Sequence, residues 1–261
     1  MKNDKLKSIL GIPYFLFLVI FVVCPVLILL YYAFTNGAGE FSLANFTLFF
    51  TDSKAIGTLI YSVMIAVVTT IVCLLIAYPV AYFLAKGEFR RGNVLLMLFV
   101  MPMWINFTLR ITALKEILTL IEGNLAFHPF LNTMIGMTYD FLPFMILPIY
   151  NTIAKIDHSY IEAAKDLGAK SYRVFLRVIL PLSIPGIISG ITMVFLPSMT
   201  NYVVLDMMYN STYIMGSLVG SYFSMYDWNN GSVISMILLL LILLLSTITG
   251  EFSDKEDTAY E

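Results

Sequence analysis

The chain of 261 residues is short of charge: only 12% of it is Asp, Glu, Lys or Arg. A soluble domain carries about 25%. Cysteine is scarce as well. Cys24 and Cys73 both lie in apolar runs, with no disulfide framework and no zinc spacing, and are expected to be buried free thiols. There is no GxxxxGK[ST] phosphate loop, no HExxH, no GxSxG and no CxxC, so the chain has no visible means of hydrolysing ATP and no visible catalytic apparatus. The two histidines, His128 and His158, are far apart, which argues against a two-histidine metal site. No internal repeat and no low-complexity segment is present, and the missing repeat counts against an inverted-repeat secondary transporter.

What the chain has is apolar length. Hydrophobic residues make up 59% and the mean hydropathy is +0.87, which is the composition of an all-α membrane protein. A helix needs about 20 apolar residues to cross a hydrocarbon core. Six segments qualify, at about 9–34, 58–85, 93–114, 131–154, 184–205 and 232–250, and form one transmembrane domain over 1–261. The first run is too long for a signal-peptide h-region and reads as a retained span, despite Lys2, Lys5 and Lys7 before it.

Orientation follows from basic residues. Lys2, Lys5, Lys7, Lys86, Arg90, Arg91, Lys155, Lys165, Lys170, Arg173, Arg177 and Lys255 fall on one side of a six-span arrangement, and only Lys54, Arg110 and Lys115 on the other. Both termini are therefore expected in the cytoplasm. The acidic tail (Glu251, Asp254, Glu256, Asp257, Glu261) does not alter this, because acidic residues contribute little to orientation.

Residues 155–187 form the longest charged island, on the expected cytoplasmic side. The island reads as two short helices. Ser159 and Glu162 have capping-box spacing, Gly168 is placed to end the first helix, and Ser171 is placed to cap the second. Ala163 and Ala164 present almost no side chain, so another surface can approach closely. Topology alone accounts for the Lys and Arg of this loop, but not for the capped helix with paired alanines.

Within the spans runs a polar and aromatic thread: Trp104, Asn106, Thr108 and Arg110, then Thr138, Tyr139 and Asp140, then Ser198, Asn201, Tyr202 and Asp206. Asp140 falls near the expected midplane, where a carboxylate costs about 2.5–3.5 kcal/mol or more and marks a functional candidate. Carboxylate, carboxamide and aromatic faces together suit an organic cation. Two readings of Asp140 stand at this point: contact with cargo or gate, or a structural bridge to Arg110. Trp104 has a pathway reading and a packing reading, and Asn201 and Tyr202 have pathway and interhelical-bonding readings. Arg110 is expected to snorkel toward the outer face, and Asp206 and Asp227 to be solvated loop acids.

Glu162-Ala163-Ala164, Gly168 six residues after Glu162, and Val178-Ile179-Leu180-Pro181 together resemble the EAA loop of type I ABC importer permeases, with Val178 where isoleucine is usual. Met101-Pro102-Met103-Trp104-Ile105-Asn106, Pro79 to Lys86, Leu142-Pro143-Phe144 and Leu147-Pro148-Ile149-Tyr150 are similar to the spermidine/putrescine (PotB-type) group of that family. The resemblance implies the type I permease fold in a bacterial cytoplasmic (inner) membrane. It implies a PotC-type second permease, two copies of a cytoplasmic ATPase that bind the ATP and Mg this chain does not, and an extracytoplasmic polyamine-binding protein, with no nucleic acid. The loop 155–183 would couple to the ATPase through Ser159, Glu162, Ala163, Ala164, Asp166 and Gly168. Trp104, Asn106, Tyr139, Asp140, Asn201 and Tyr202 would line the cargo path by alternating access. Import of another small solute (an amino-acid derivative, thiamine or ferric iron) and ion-driven secondary transport are the alternatives.

Overall fold

The computed structural model describes residues 13–87 and 92–257, and among these it is helical with no strand beyond one isolated bridge, Thr35 to Phe41. Lys2, Lys5, Lys7, Arg90 and Arg91, on which the expected orientation partly rests, lie outside the described residues. Two compact units are present: Met1–Thr58 with Ser217–Leu241, and Leu59–Gly216 with Ile242–Glu261.

In the first unit, α1 (Pro13–Ala33) is an apolar helix whose central stretch is not covered by any other part of the chain. Cys24 is exposed on it, contrary to the expectation of a buried thiol, because the helix offers no packed face there; Cys73 is buried as expected. After α1, Phe34 stacks on Phe41 and tilts against Phe46 at the head of α2 (Ala44–Thr51). α11 (Met215–Ser224) leads to α12 (Trp228–Asp257). Asp227 caps α12 by accepting from the Asn230 amide at 3.1 Å and from Asn230 Nδ2 at 2.8 Å, so it is not a plain solvated acid. Asn229 donates to the carbonyls of Tyr32 (3.0 Å) and Thr35 (2.6 Å) where α1 stops, and Asn45 Nδ2 also donates to the Thr35 carbonyl at 2.9 Å.

The second unit is built on α3 (Ser53–Lys86) and α6 (Pro129–Lys155), both long enough to span a bilayer. With α1 that makes three such helices among the described residues, and two bent pairs add to them. The segment expected at 93–114 is not one straight helix. α4 (Gly92–Val100) runs into a 3₁₀ turn at Met101–Trp104, and α5 (Phe107–Glu122) departs at 100°. Pro102 tightens the turn and Ile105 is extended, so the helical ladder cannot continue through it.

The segment expected at 184–205 is also divided. α8 (Ser171–Leu182) meets α9 (Ile184–Ser198) at 60°, and α9 stops before Asn201, after which α10 (Tyr202–Met207) starts afresh. A π-turn at Phe175–Ile179 lies inside α8.

α6 is the axis of this unit, and Met137, Met145, Ile146, Ile149 and Ile153 on it are fully buried. α9 approaches it through Gly186 and Gly190, a small-xxx-small spacing that lets backbones come close. A Cβ on Gly186 would lie 2.6 Å from Thr152 Oγ1 and 2.8 Å from the Pro148 carbonyl. Gly136 plays the same part toward α10, where a Cβ would lie 2.8 Å from Val204.

Gly186→Val should therefore destabilise by roughly 1–3 kcal/mol through overpacking. Gly220→Ala, where nothing lies within 4 Å, should be neutral or stabilising by up to about 1 kcal/mol. Thermal melting of the detergent-purified protein compares the two.

Candidate functional site

Two groups of residues stand apart from ordinary core packing, one in the charged loop and one buried between helices of the second unit.

The loop group is α7 (His158–Asp166) with α8 behind it. The cap of α7 is Asp157, not Ser159. The Asp157 carboxylate accepts from the Ser159 amide at 2.9 Å, so Ser159 is already inside the helix. Glu162 consequently sits two residues too far in for a capping box and pairs instead with His158 Nδ1 at 3.1 Å. Ser171 likewise does not cap α8: Lys170 occupies that position, with no side-chain bond. The Asp-x-Ser pattern at 157–159 was a capping signal as good as Ser159 itself.

At the other end the sequence expectation holds. Gly168 has φ of +79°, its amide donates to the Lys165 carbonyl at 2.8 Å, and the Ala169 amide donates to Ala164 at 3.0 Å. That pair of bonds is a Schellman motif. A Cβ on Gly168 would meet nothing within 4 Å, so the glycine is needed for its backbone angle and not for space.

Ile161 is buried and joins Val174 and Ile179 in a small cluster with Tyr82 at its edge. Lys86 Nζ donates to the Ile156 carbonyl at 2.6 Å, and Tyr78 hydroxyl bonds Ser183 Oγ at 3.0 Å. The end of α3 thus holds both ends of the loop. Glu162, Ala163, Asp166 and Gly168 face outward, Ala164 is half-buried, and Leu167 is 89% exposed. Beside Leu167 a cavity of about 260 Å³ is lined by Gly168, Arg173 and Arg177. The loop therefore presents a firmly seated helix whose exposed face carries Ala163 among Glu162, Asp166 and Leu167.

The second group centres on Asp140 of α6. Arg110 of α5 donates from Nη2 to Asp140 Oδ1 at 2.7 Å, and the two side chains are 7% and 6% exposed. Arg110 is therefore not snorkelling: the 100° bend before α5 turns it inward onto α6. Asn201, at the head of α10, reaches Asp140 Oδ2 at 3.4 Å. The other candidates are not brought to this cluster. Trp104 is 81% exposed at the end of the 3₁₀ turn. Asn106 caps α5, accepting from the amides of Thr108 (2.9 Å) and Leu109 (3.4 Å). Tyr139 lines a separate, apolar cavity of about 370 Å³ with Val72, Ile76 and Leu131, and Tyr202 is 41% exposed.

Sequence reading also missed Asn210, which is buried and donates to Tyr61 hydroxyl (3.0 Å) and Thr133 Oγ1 (3.1 Å). It missed Asn132, which holds Glu122 at 2.7 Å. Neither has a sequence signal beyond a carboxamide beside apolar residues.

Residues 77–252, which include both groups, match the family described as binding-protein-dependent transport system inner membrane component. The chain belongs to that family. This inner-membrane transport component is 36% identical over 265 residues to the spermidine/putrescine transport system permease protein PotB of Haemophilus influenzae, covering 93% of this chain and 92% of the relative. It is 34% identical over 221 residues to PotB of Escherichia coli K12, with 78% and 80% covered. A chain in the crystal structure of a bacterial alginate ABC transporter, in complex with an alginate pentasaccharide-bound periplasmic protein, superposes with a TM-score of 0.78 at 13% identity, over 97% of this chain and 96% of that one. A chain of the inward-facing MetNI methionine ABC transporter gives 0.58 at 16% identity, over 78% and 99%. At these identities the likeness to the solved structures is one of fold.

The Asp157 cap carries a pH dependence. The Ser159 amide, followed by the Ser159 hydroxyl, holds its carboxyl below the ordinary carboxylate range. Its stabilisation of α7 is therefore complete above about pH 4 and is lost as pH falls through the depressed folded-state value. Hydrogen exchange at the first amides of α7 should be several-fold faster in Asp157→Ala than in wild type or Asp157→Asn, because both of the latter keep a capping oxygen.

Proposed function

We propose that the chain is a translocation subunit of an ATP-driven importer of polyamines, of the spermidine and putrescine class. The observation that carries this is the 36% identity, over nearly the full length of both chains, to a relative named for spermidine/putrescine transport. The seated helix α7 supports it physically, since a subunit without a phosphate loop must take its energy from elsewhere.

In this reading the chain is a single permease domain in a bacterial inner membrane, with six spans and both termini cytoplasmic. α1, α3, α6 and the two bent pairs, each taken as one span, make five crossings, and this reading adds the shorter apolar helix Trp228–Leu244 as the sixth. The partners are a second permease, two copies of a cytoplasmic ATPase carrying ATP and Mg, and an external polyamine-binding protein. This chain holds no cofactor of its own.

α7 seats in the ATPase through Ser159, Glu162, Ala163, Ala164, Asp166 and Gly168. Closure of the ATPase pair moves α7 as a rigid body, because Ile161 and the Schellman turn fix it to α8. α8 passes the movement to α9, which bears on α6 through Gly186 and Gly190. Asp140 and Asn201 lie at the far end of that contact, on the cargo path, with Trp104, Asn106, Tyr139 and Tyr202 contributing along it. High affinity is not needed here, because a path must let its cargo leave.

Ala163→Arg places a long cation on the outer face of α7 without touching its buried side. It should abolish ATP-dependent spermidine uptake while the protein still reaches the membrane in normal amount. Uptake at the wild-type rate with ATPase still bound would remove α7 from the coupling path.

A further inference from the structure

We propose that Arg110 and Asp140 form a charge-exchange latch, in which a primary ammonium of the cargo takes the place of the Arg110 guanidinium on the Asp140 carboxylate. This rests on the reading of the chain as a polyamine permease and specifies how the cargo is recognised.

The pair is only half made. A guanidinium and a carboxylate that exist to bind each other engage as a fork, through two parallel N–H···O bonds. Here one nitrogen, Nη2, meets one oxygen, Oδ1. Arg110 Nε and Nη1 are buried with no partner. A guanidinium has five donors and no acceptor, so much of this one is held out of water without a bond. The second carboxylate oxygen has Asn201 as its partner at 3.4 Å, at the long limit for a hydrogen bond. A single short bond holds the pair where a fork would hold it with two. The unfilled donors leave the guanidinium free to turn to another acceptor.

The three side chains sit on three elements, and two of those begin at a break in a helix. Arg110 follows the 100° bend before α5. Asn201 precedes α10, just after α9 ends. Asp140 is on α6, the packed axis of the unit. Two side chains placed at helix breaks therefore meet one carboxylate on the packed axis of the unit.

Exchange answers the problem of a carboxylate at this depth. An unpaired buried charge is strongly unfavourable. If cargo replaces arginine in one movement, Asp140 has a cation at every moment. An ammonium is a compact point charge with three rotatable donors, able to reach both carboxylate oxygens where the end-on guanidinium holds one. A neutral or anionic solute cannot displace Arg110, so the latch selects for cationic cargo without binding it tightly.

The test uses the complete importer, with its partner subunits, in proteoliposomes. Asp140→Asn, Arg110→Gln and the double variant are compared for ATP-driven uptake of labelled spermidine. The latch predicts that uptake falls about tenfold or more in both single variants and stays down in the double variant, although the double variant has no unpaired buried charge and assembles in wild-type amounts. Uptake restored in the double variant to within about twofold of wild type makes the pair a structural bridge and overturns the latch.

A second readout is independent of transport. In Arg110→Gln the carboxylate stands open, so millimolar spermidine should raise the melting temperature of the Arg110→Gln complex more than that of wild type or of the double variant. No such difference overturns the latch. Failure of the wild-type importer to take up any polyamine overturns the cargo reading instead. The latch is then judged by the same melting comparison with propylammonium, where an absent shift in Arg110→Gln again rejects it.

Discussion

Inside an apolar surrounding, every polar group has to find its partner within the protein. That requirement shows at the ends and breaks of the helices. Where α4 ends at the 3₁₀ turn, the Asn106 side chain supplies acceptors for the first free amides of α5. Where α7 ends, the Schellman bonds take up its last carbonyls. Where α1 ends, Asn229 comes from far along the chain, within the first unit, to cover two carbonyls. Each of these breaks has a bond that takes up backbone groups at the helix end, two of them local and one from a distant residue, so the segment beyond can point in a new direction. The inward turn of Arg110 onto Asp140 follows from one such break.

The parts that can be read from the residues are those set by composition and local backbone chemistry. Gly168 was legible because a helix must end in a left-handed residue there, and only glycine adopts that angle without penalty. Asp140 was legible because an acid in an apolar run is rare. Arg110 was not, since its destination depends on a bend set by Pro102 and Ile105, and straight-helix reasoning sends it outward. Ser159 lost the cap to Asp157 because both are good caps and only the register of the chain against Ile161 and Tyr82 separates them. Cys24 looked buried because an apolar neighbourhood in sequence was taken for one in space. In a membrane protein an apolar residue is as much at home on the outside of a helix.

The two groups of functional interest differ in what holds them. The loop is fixed to α3 by aromatic edges, by the Tyr78–Ser183 bond and by Lys86 on the Ile156 carbonyl. Its outer face sets Ala163 and Gly168 among exposed polar and apolar side chains such as Glu162 and Leu167. The buried pair is the reverse: almost wholly out of solvent, yet joined by one short bond with two guanidinium nitrogens unpartnered. Between them lies the α6–α9 contact, where two glycines remove the side chains that would cushion one helix against the other. A stiff contact of this kind transmits displacement with little loss, because close-packed interiors deform poorly.

The π-turn in α8 has a bearing on how the loop is spaced. In a regular α-helix, residues five apart point roughly 140° away from each other. The turn at Phe175–Ile179 closes with an i to i+5 bond, from the Leu180 amide to the Phe175 carbonyl. It thereby brings Val174 and Ile179 round to one side, where both reach Ile161. One surplus residue is absorbed in a single wide turn and the following helix keeps its rotational phase. A chain with one residue fewer at this point would close the same turn as ordinary α-helix, and its inward face would still line up. The distance in sequence from Gly168 to Pro181 is therefore a looser constraint than it looks, and the shared face between the two halves of α8 is the tighter one.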